Sequence, residues 1–159
     1  MKAGPLNICV DSISAANLVN TGSLLDKQDP GLIIKIGKLY TFQTDRVQDG
    51  GTDVERFPES FKDIILKYED LEHGLEMIVE AHNMDKNNSS KKLLGIGKVK
   101  LTDILKDYDN KYPFTIKLDT KGTITMNMMI AVGVKAKKEK STGYHYNNHY
   151  VIINITMYY

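Results

Sequence analysis

The chain has 159 residues, a length that suits one domain built on a single hydrophobic core. Lys and Arg number 21 against 20 Asp and Glu, a formal net charge of +1, so no overall electrostatic field attracts nucleic acid. A single cysteine, Cys9, excludes an internal disulfide and a multi-cysteine metal site, and its apolar neighbours predict a core position.

Short apolar runs recur along the chain, each bounded by Gly, Asp, Asn or Pro, and none keeps a 3.6-residue period long enough for a substantial helix. The runs predict strands at 6–11, 32–37, 39–44, 57–65, 75–81, 94–101, 114–118 and 123–132. In the fifth run, Met77 and Val79 point to one face and Glu80 to the other, so this strand has one wet face. The pattern predicts an all-β fold, an eight-stranded antiparallel β-sandwich.

Residues typical of turns and helix caps lie between these runs. Gly37 and Lys38 predict a tight hairpin between the second and third strands, and residues 49–51, Asp-Gly-Gly, predict a reversal. Residues 101–105 predict a short helical turn capped by Thr102. We place the domain at residues 1–134. The lysine-rich and tyrosine-rich tail at 135–159 is predicted to be disordered, and it leaves open that the chain is part of a larger multi-domain protein or complex.

Four short motifs follow one another in a set order. They are Asp29-Pro30 at the start of a strand, Glu-Ser-Phe at 59–61, Leu-Leu-Gly at 93–95 and Leu-Thr-Asp-Ile-Leu at 101–105. Their order and spacing resemble a C2 domain over residues 5–132. The tryptophan that the family usually has in its fourth strand is missing, and Phe57 stands nearby. The resemblance implies a sandwich whose loops at one end bind calcium through carboxylates and bridge to anionic lipid.

The carboxylates of that calcium site are mostly absent. The family pattern asks for two in the first loop and three in the third, and only Asp29 matches, because the other four positions hold Ser23, Ala81, Asn83 and Lys92. We interpret four residues as remnants of calcium loops that no longer bind metal: Asp29, Asp26, Asn83 and Asp85. The charged residues of these loops leave the tip near +1, which does not favour a cation. We therefore expect no cofactor.

Apolar and basic residues of the same loops predict contact with a membrane. The candidate lipid-binding residues are Leu24, Leu25, Met84, Lys86, Lys91 and Lys92. Each lysine near an anionic surface contributes ~1 kcal/mol, so the set predicts weak, reversible docking. The alternative is that the leucines fold back onto the sandwich and the lysines remain solvated. A weaker candidate is a basic strand face formed by Lys35, Lys38 and Arg46 and interrupted by Asp45.

The chemistry of an enzyme is not evident in the sequence. It has neither a Gly-x-Ser-x-Gly elbow nor a phosphate-binding glycine loop, and its four histidines do not form a pattern with three or four metal ligands. No apolar segment reaches the ~18 residues of a membrane span, and the N-terminus lacks a signal-peptide pattern. We therefore predict a non-catalytic, cytoplasmic, peripheral membrane module that docks on anionic phospholipid without calcium. The alternative is a protein-interaction C2 domain of a cytoskeletal or structural assembly, with a protein partner and no lipid role.

Overall fold

A computed structural model describes residues 3–58, 62–106 and 113–134 of the chain. Within these residues, eight strands and two short helices follow one another. They are β1 Ala3–Ala16, β2 Pro30–Ile36, β3 Tyr40–Gln43, β4 Lys62–Leu66, α1 Tyr68–Glu72, β5 Glu76–Met84, β6 Ser90–Lys100, α2 Leu101–Lys106, β7 Pro113–Lys117 and β8 Thr123–Val134. The strands form two four-stranded antiparallel sheets, ordered β4-β1-β8-β7 and β3-β2-β5-β6, which confirms the predicted sandwich.

The core lies between the two sheets, and β1 supplies much of it. Leu6, Ile8 and Val10 are buried at even positions, whereas Ile13 and Ala15 are buried at odd positions. The change of phase coincides with a register shift between Val10 and Ser12 in the pairing with β8. A β-bulge inserts one extra residue, so the strand continues across the sheet with its apolar side chains still turned inward.

Three predicted details differ from the structure. The strand predicted at 57–65 includes Phe57, but Phe57 lies in a loop that runs beside β1, where its N–H donates to the Ile13 carbonyl at 2.9 Å. Helix α1 is absent from the sequence prediction, because five residues are too few to show a helical period. Helix α2 begins at Leu101, so Thr102 lies inside the helix instead of capping it. The motif at 59–61 and the tail at 135–159 lie outside the described residues.

Four connections meet at one end of the sandwich. We name them loop 1 (residues 17–29), loop 2 (44–58, the described part of the β3–β4 connection), loop 3 (85–89) and loop 4 (118–122). The antiparallel pair Pro30↔Asn83 places the end of loop 1 beside the start of loop 3, and the pair Ala16↔Thr123 places the start of loop 1 beside the end of loop 4. Loop 4 requires glycine at 122, where φ is +96° and an added Cβ would lie 2.6 Å from the Asn17 carbonyl oxygen of loop 1. We call this edge the loop end.

Neither helix of the described residues has the length and hydropathy needed to cross a membrane.

Candidate functional site

The tip of loop 1 presents two adjacent leucines to solvent. The Ser23 N–H donates to the Asp26 carbonyl at 2.8 Å, and the Ser23 Oγ accepts from the Asp26 N–H at 3.0 Å, which closes a four-residue turn. Leu24 and Leu25 occupy its middle and are fully exposed, at 104% and 100% of their reference areas. The alternative in which they fold back onto the sandwich is therefore wrong. Single exposed leucines are ordinary, but a pair held out on a hydrogen-bonded turn is an apolar tip.

Gln28 connects the base of loop 1 to loop 2 through hydrogen bonds, and its side chain is buried. Its Oε1 accepts from the Thr21 N–H at 2.8 Å and from the Thr21 hydroxyl at 2.9 Å, and its Nε2 donates to the Gly51 carbonyl at 2.8 Å. A buried amide with all these partners stabilises the loop, because leaving any of them unpaired would cost desolvation energy. Sequence reasoning missed Gln28, since glutamine is mostly a surface residue and nothing in its neighbourhood indicates burial.

Loop 3 is shaped by Asp85. One of its carboxylate oxygens accepts from the Ser89 N–H at 3.0 Å and from the Asn87 N–H at 2.8 Å. These two hydrogen bonds hold the pKa of Asp85 below its ordinary value, and the charges of Lys91 and Arg46 act in the same direction. Asp85 is therefore the cap of a tight turn, with one oxygen already engaged by the backbone.

The prediction that Met84 contacts lipid is wrong, because its side chain is completely buried. A Cβ added to Gly31 would lie 2.9 Å from Met84 Cγ and 3.6 Å from Arg46 Cα. Met84 thus fills the space that a side chain at Gly31 would take, next to loop 2, and it is not a member of the main core cluster. Its side chain packs over Gly31 of the neighbouring strand β2, a contact that no local pattern reveals.

The three lysines predicted to meet lipid phosphates are exposed and belong to the loop end. Lys86 lies in loop 3, and Lys91 and Lys92 lie at the start of β6, where Lys92 pairs with Asn83. Among the described residues, none of the three is within ion-pair distance of a carboxylate. Three exposed lysines that form no close ion pair within the described ranges thus stand at the end of the sandwich that also carries the leucine tip.

Solved structures show which fold this is. The chain is similar to the calcium-bound pair of C2 domains of extended synaptotagmin 2, with a TM-score of 0.57, 20% identity and coverage of 82% of this chain and 46% of that one. It is also similar to a C2 domain of a plant extended synaptotagmin 1, with a TM-score of 0.54, 14% identity and coverage of 86% and 99%. The chain has the C2 domain fold. Human GIVD cytosolic phospholipase A2 matches with a TM-score of 0.56 and 13% identity over 81% of this chain and 16% of that one.

These similarities concern the C2 fold alone, because the identities are low and the chain spans less than half of the first structure and a sixth of the phospholipase. No protein-family model matches the sequence, and a search of curated proteins finds no match. The resemblance drawn from the short sequence motifs is nevertheless confirmed at the level of fold.

The four residues interpreted from the sequence as remnants of calcium loops are only partly brought together. Asp29 and Asn83 are neighbours, since the Asp29 N–H donates to the Asn83 Oδ1 at 2.9 Å. Asp26 is exposed in the loop 1 turn, and Asp85 caps loop 3. Within the ranges that the structure describes, no group of three or more His, Cys, Asp or Glu side chains is arranged to hold a metal ion. Calcium binds six to eight oxygen ligands that converge on one point, and the contact recorded among these four residues joins Asp29 to Asn83.

The basic strand face is not assembled. The Lys35 Nζ lies 2.6 Å from Glu80 Oε1, and the Arg46 guanidinium pairs with Asp29. Lys38 is exposed in the turn between β2 and β3, at the opposite end of the sandwich from the loops. Two of the three cations are thus neutralised and the third is distant, so the prediction of a basic face is wrong.

A hydrogen-bonded network of polar side chains extends across the outer face of β2, β5 and β6. Besides Lys35, Glu80 meets His82, with Oε2 at 3.1 Å from Nε2, and the His82 Nδ1 lies 2.7 Å from the Ser90 hydroxyl. The hydrogen bond from Lys35 holds the pKa of Glu80 below its ordinary value, with a smaller contribution from His82. The polar groups of this network supply one another with hydrogen-bond partners, so we expect the network to stabilise the sheet.

We expect the Glu80→Gln substitution to destabilise the protein at neutral pH and to matter less in acid. A carboxylate whose pKa is lower in the folded state stabilises the protein above its unfolded pKa, and this contribution is lost as pH falls through the folded pKa. Thermal unfolding between neutral pH and about pH 3 measures it, with exposed Glu76→Gln on the same strand as control. A gap between wild type and Glu80→Gln that stays constant across this range would contradict the assignment.

Proposed function

We propose that this C2 fold is a non-catalytic membrane-targeting module that docks weakly on anionic phospholipid through its loop end, without calcium. The observation that carries the proposal is the leucine tip. Leu24 and Leu25 are fully exposed on a turn that hydrogen bonds hold in shape. Ordering them at a membrane therefore costs little backbone entropy, and their transfer from water into the acyl boundary is favourable.

The charges of the loop end favour an anionic surface. Lys86, Lys91 and Lys92 are exposed and form no close ion pair among the described residues, and Lys27 follows the leucine turn. Positive charge that the chain itself carries takes the role that a bound cation would have in bridging to lipid phosphate. Because the net charge of the whole chain is only +1, this attraction is local and orients the loop end toward the bilayer.

The magnitude of these contributions predicts reversible binding. Partial burial of two leucines is worth roughly 2–3 kcal/mol and three lysines contribute about 3 kcal/mol, which together correspond to a dissociation constant of roughly 0.1 mM. A domain with this affinity assists the attachment of a host protein or complex at the cytoplasmic face of a membrane, and a second contact is needed for stable anchoring.

Vesicle sedimentation tests the proposal directly. The protein is mixed with neutral or phosphatidylserine-containing vesicles, in calcium or in chelator, at low and at high salt. We expect binding only to the anionic vesicles, equal with calcium and with chelator, and weaker at high salt, because the lysine contribution is screened. Strict calcium dependence would contradict the proposal. Absence of binding under every condition would favour the alternative, a protein-interaction C2 domain whose leucine tip meets a protein partner.

A further inference from the structure

Arg46 lies where three loops of the loop end meet. It belongs to loop 2, its backbone N–H donates to the Asn88 Oδ1 of loop 3 at 2.9 Å, and its guanidinium donates to the Asp29 Oδ2 of loop 1. The two charged side chains are largely shielded, with 21% of the arginine and 17% of the aspartate exposed. An ion pair in this position is screened less by solvent and salt than one on an open surface.

Both carboxylate oxygens of Asp29, the one carboxylate that matches the calcium pattern, accept hydrogen bonds from protein groups. Its Oδ1 accepts from the Asp49 N–H at 2.7 Å, and its Oδ2 accepts from Arg46. Its backbone is held as well, since the Asp29 carbonyl accepts from the Met84 N–H at 2.8 Å. The Asn83 Oδ1, at the neighbouring ligand position, accepts from the Asp29 N–H. The oxygens that would face a metal ion therefore already accept hydrogen bonds within the protein.

The guanidinium of Arg46 occupies a position next to a carboxylate, as a bound cation would. Asp29 touches the guanidinium. The Asn88 Nδ2 donates to Asp45 at 3.0 Å, which ties loop 3 to loop 2 on the other side. Arginine is charged at every physiological pH, and its planar donors match a carboxylate. A permanent cation thus stands beside the one carboxylate that matches the calcium pattern.

We propose that Arg46 is the built-in cation of this domain: its guanidinium pairs with Asp29 of loop 1 and its backbone N–H bonds to Asn88 of loop 3, so the three loops are assembled for docking without metal. The inference deepens the proposed function and rests on it for the docking role. The assembly of the loops is a property of the free protein and is tested separately. Arg46 acts as a positioning residue, because it orders the loop that carries Leu24 and Leu25 and does not itself form the apolar tip.

The first test needs no membrane. Arg46→Gln removes the charge and keeps a polar side chain of similar length, and Lys38→Gln makes the same change of charge at the opposite, exposed end. We expect Arg46→Gln to speed amide hydrogen exchange at Asp49 and Met84, whose N–H groups bond to Asp29, by about tenfold, and Lys38→Gln to leave it unchanged. Exchange in Arg46→Gln that equals wild type would overturn the proposal.

The wild-type protein supplies a second measurement that does not depend on the folding of any variant. We expect added calcium to leave exchange at Asp49 and Met84 unchanged, because the Asp29 oxygens are engaged. Slower exchange on adding calcium would overturn the proposal by showing that the metal, and not Arg46, completes the site. Both exchange measurements are made without lipid, so they stand whether or not the domain binds vesicles.

The second test concerns docking. We expect Arg46→Gln to weaken binding to anionic vesicles in chelator by about fivefold relative to Lys38→Gln, because disordered loops must be fixed again at the membrane. Arg46→Lys keeps the charge and should recover more than half of this loss. Equal binding by Arg46→Gln and Lys38→Gln would overturn the docking role, as would a loss that Arg46→Lys does not reduce.

Discussion

Replacing both Leu24 and Leu25 with serine is expected to lower the affinity for anionic vesicles by roughly a hundredfold, a loss of about 3 kcal/mol. Both side chains are fully exposed in the free protein, so their removal takes away apolar area that only a membrane or a partner would bury. The hydrogen bonds that close the turn come from Ser23 and the backbone, and they are unchanged by the substitution. Titration of the protein with vesicles in chelator measures the effect.

A matched control for the leucine tip is the double substitution Leu39→Ser and Ile65→Ser. These side chains are also exposed, at 50% and 59%, and Leu39 lies in the turn at the end opposite the loops. We expect this control to bind vesicles like wild type. Neither double variant should unfold at a much lower temperature, since each removes mainly solvent-exposed groups. Vesicle binding by the Leu24 and Leu25 variant that matches wild type would refute docking through this tip.

Phe57→Ala is expected to cost about 3–5 kcal/mol of the free energy of unfolding. Phe57 is completely buried and is the largest side chain in the fully buried set. It anchors loop 2 against β1, where Val54 also exchanges backbone hydrogen bonds with Ala15 at 2.8 and 2.9 Å. Removing the ring leaves a cavity that the two sheets fill only in part, so stability is lost even though no regular strand contains this residue.

Urea denaturation followed by circular dichroism measures the stability of Phe57→Ala, and its midpoint should fall well below that of wild type. Ile65→Ala serves as the control, because this residue is exposed on edge strand β4 and its truncation should cost less than about 1 kcal/mol. A cost for Phe57→Ala as small as that of the control would mean that loop 2 is not anchored in the core.

Much of the fold is predictable from the sequence, because the signals for strands are local. The alternation of Met77 and Val79 with Glu80 places the face of β5 on the core correctly over most of its length, and turn residues such as Gly37 mark where strands end. The exception at Phe57 has a physical cause. An apolar residue beside a strand run looks like part of it, although here its backbone bonds to β1 from a loop.

The candidate site is less predictable, because it is made by contacts between loops distant in the chain. The exposure of Lys86 follows correctly from its place in a polar loop. The burial of Met84 does not, because its side chain packs over Gly31, which is distant in the chain. The sequence suggests a basic face for Arg46, whereas its partner Asp29 stands 17 residues away on another loop.

The sequence by itself determined the succession of strands of a C2 sandwich and the scarcity of carboxylates in its calcium loops, since both are carried by residue types and short spacings. Only the tertiary structure decided that Leu24 and Leu25 stand in solvent and that the guanidinium of Arg46 faces Asp29. The reason is physical: exposure and ion pairing depend on which loops meet in space, and the strand pairing that brings those loops together joins residues far apart in the chain.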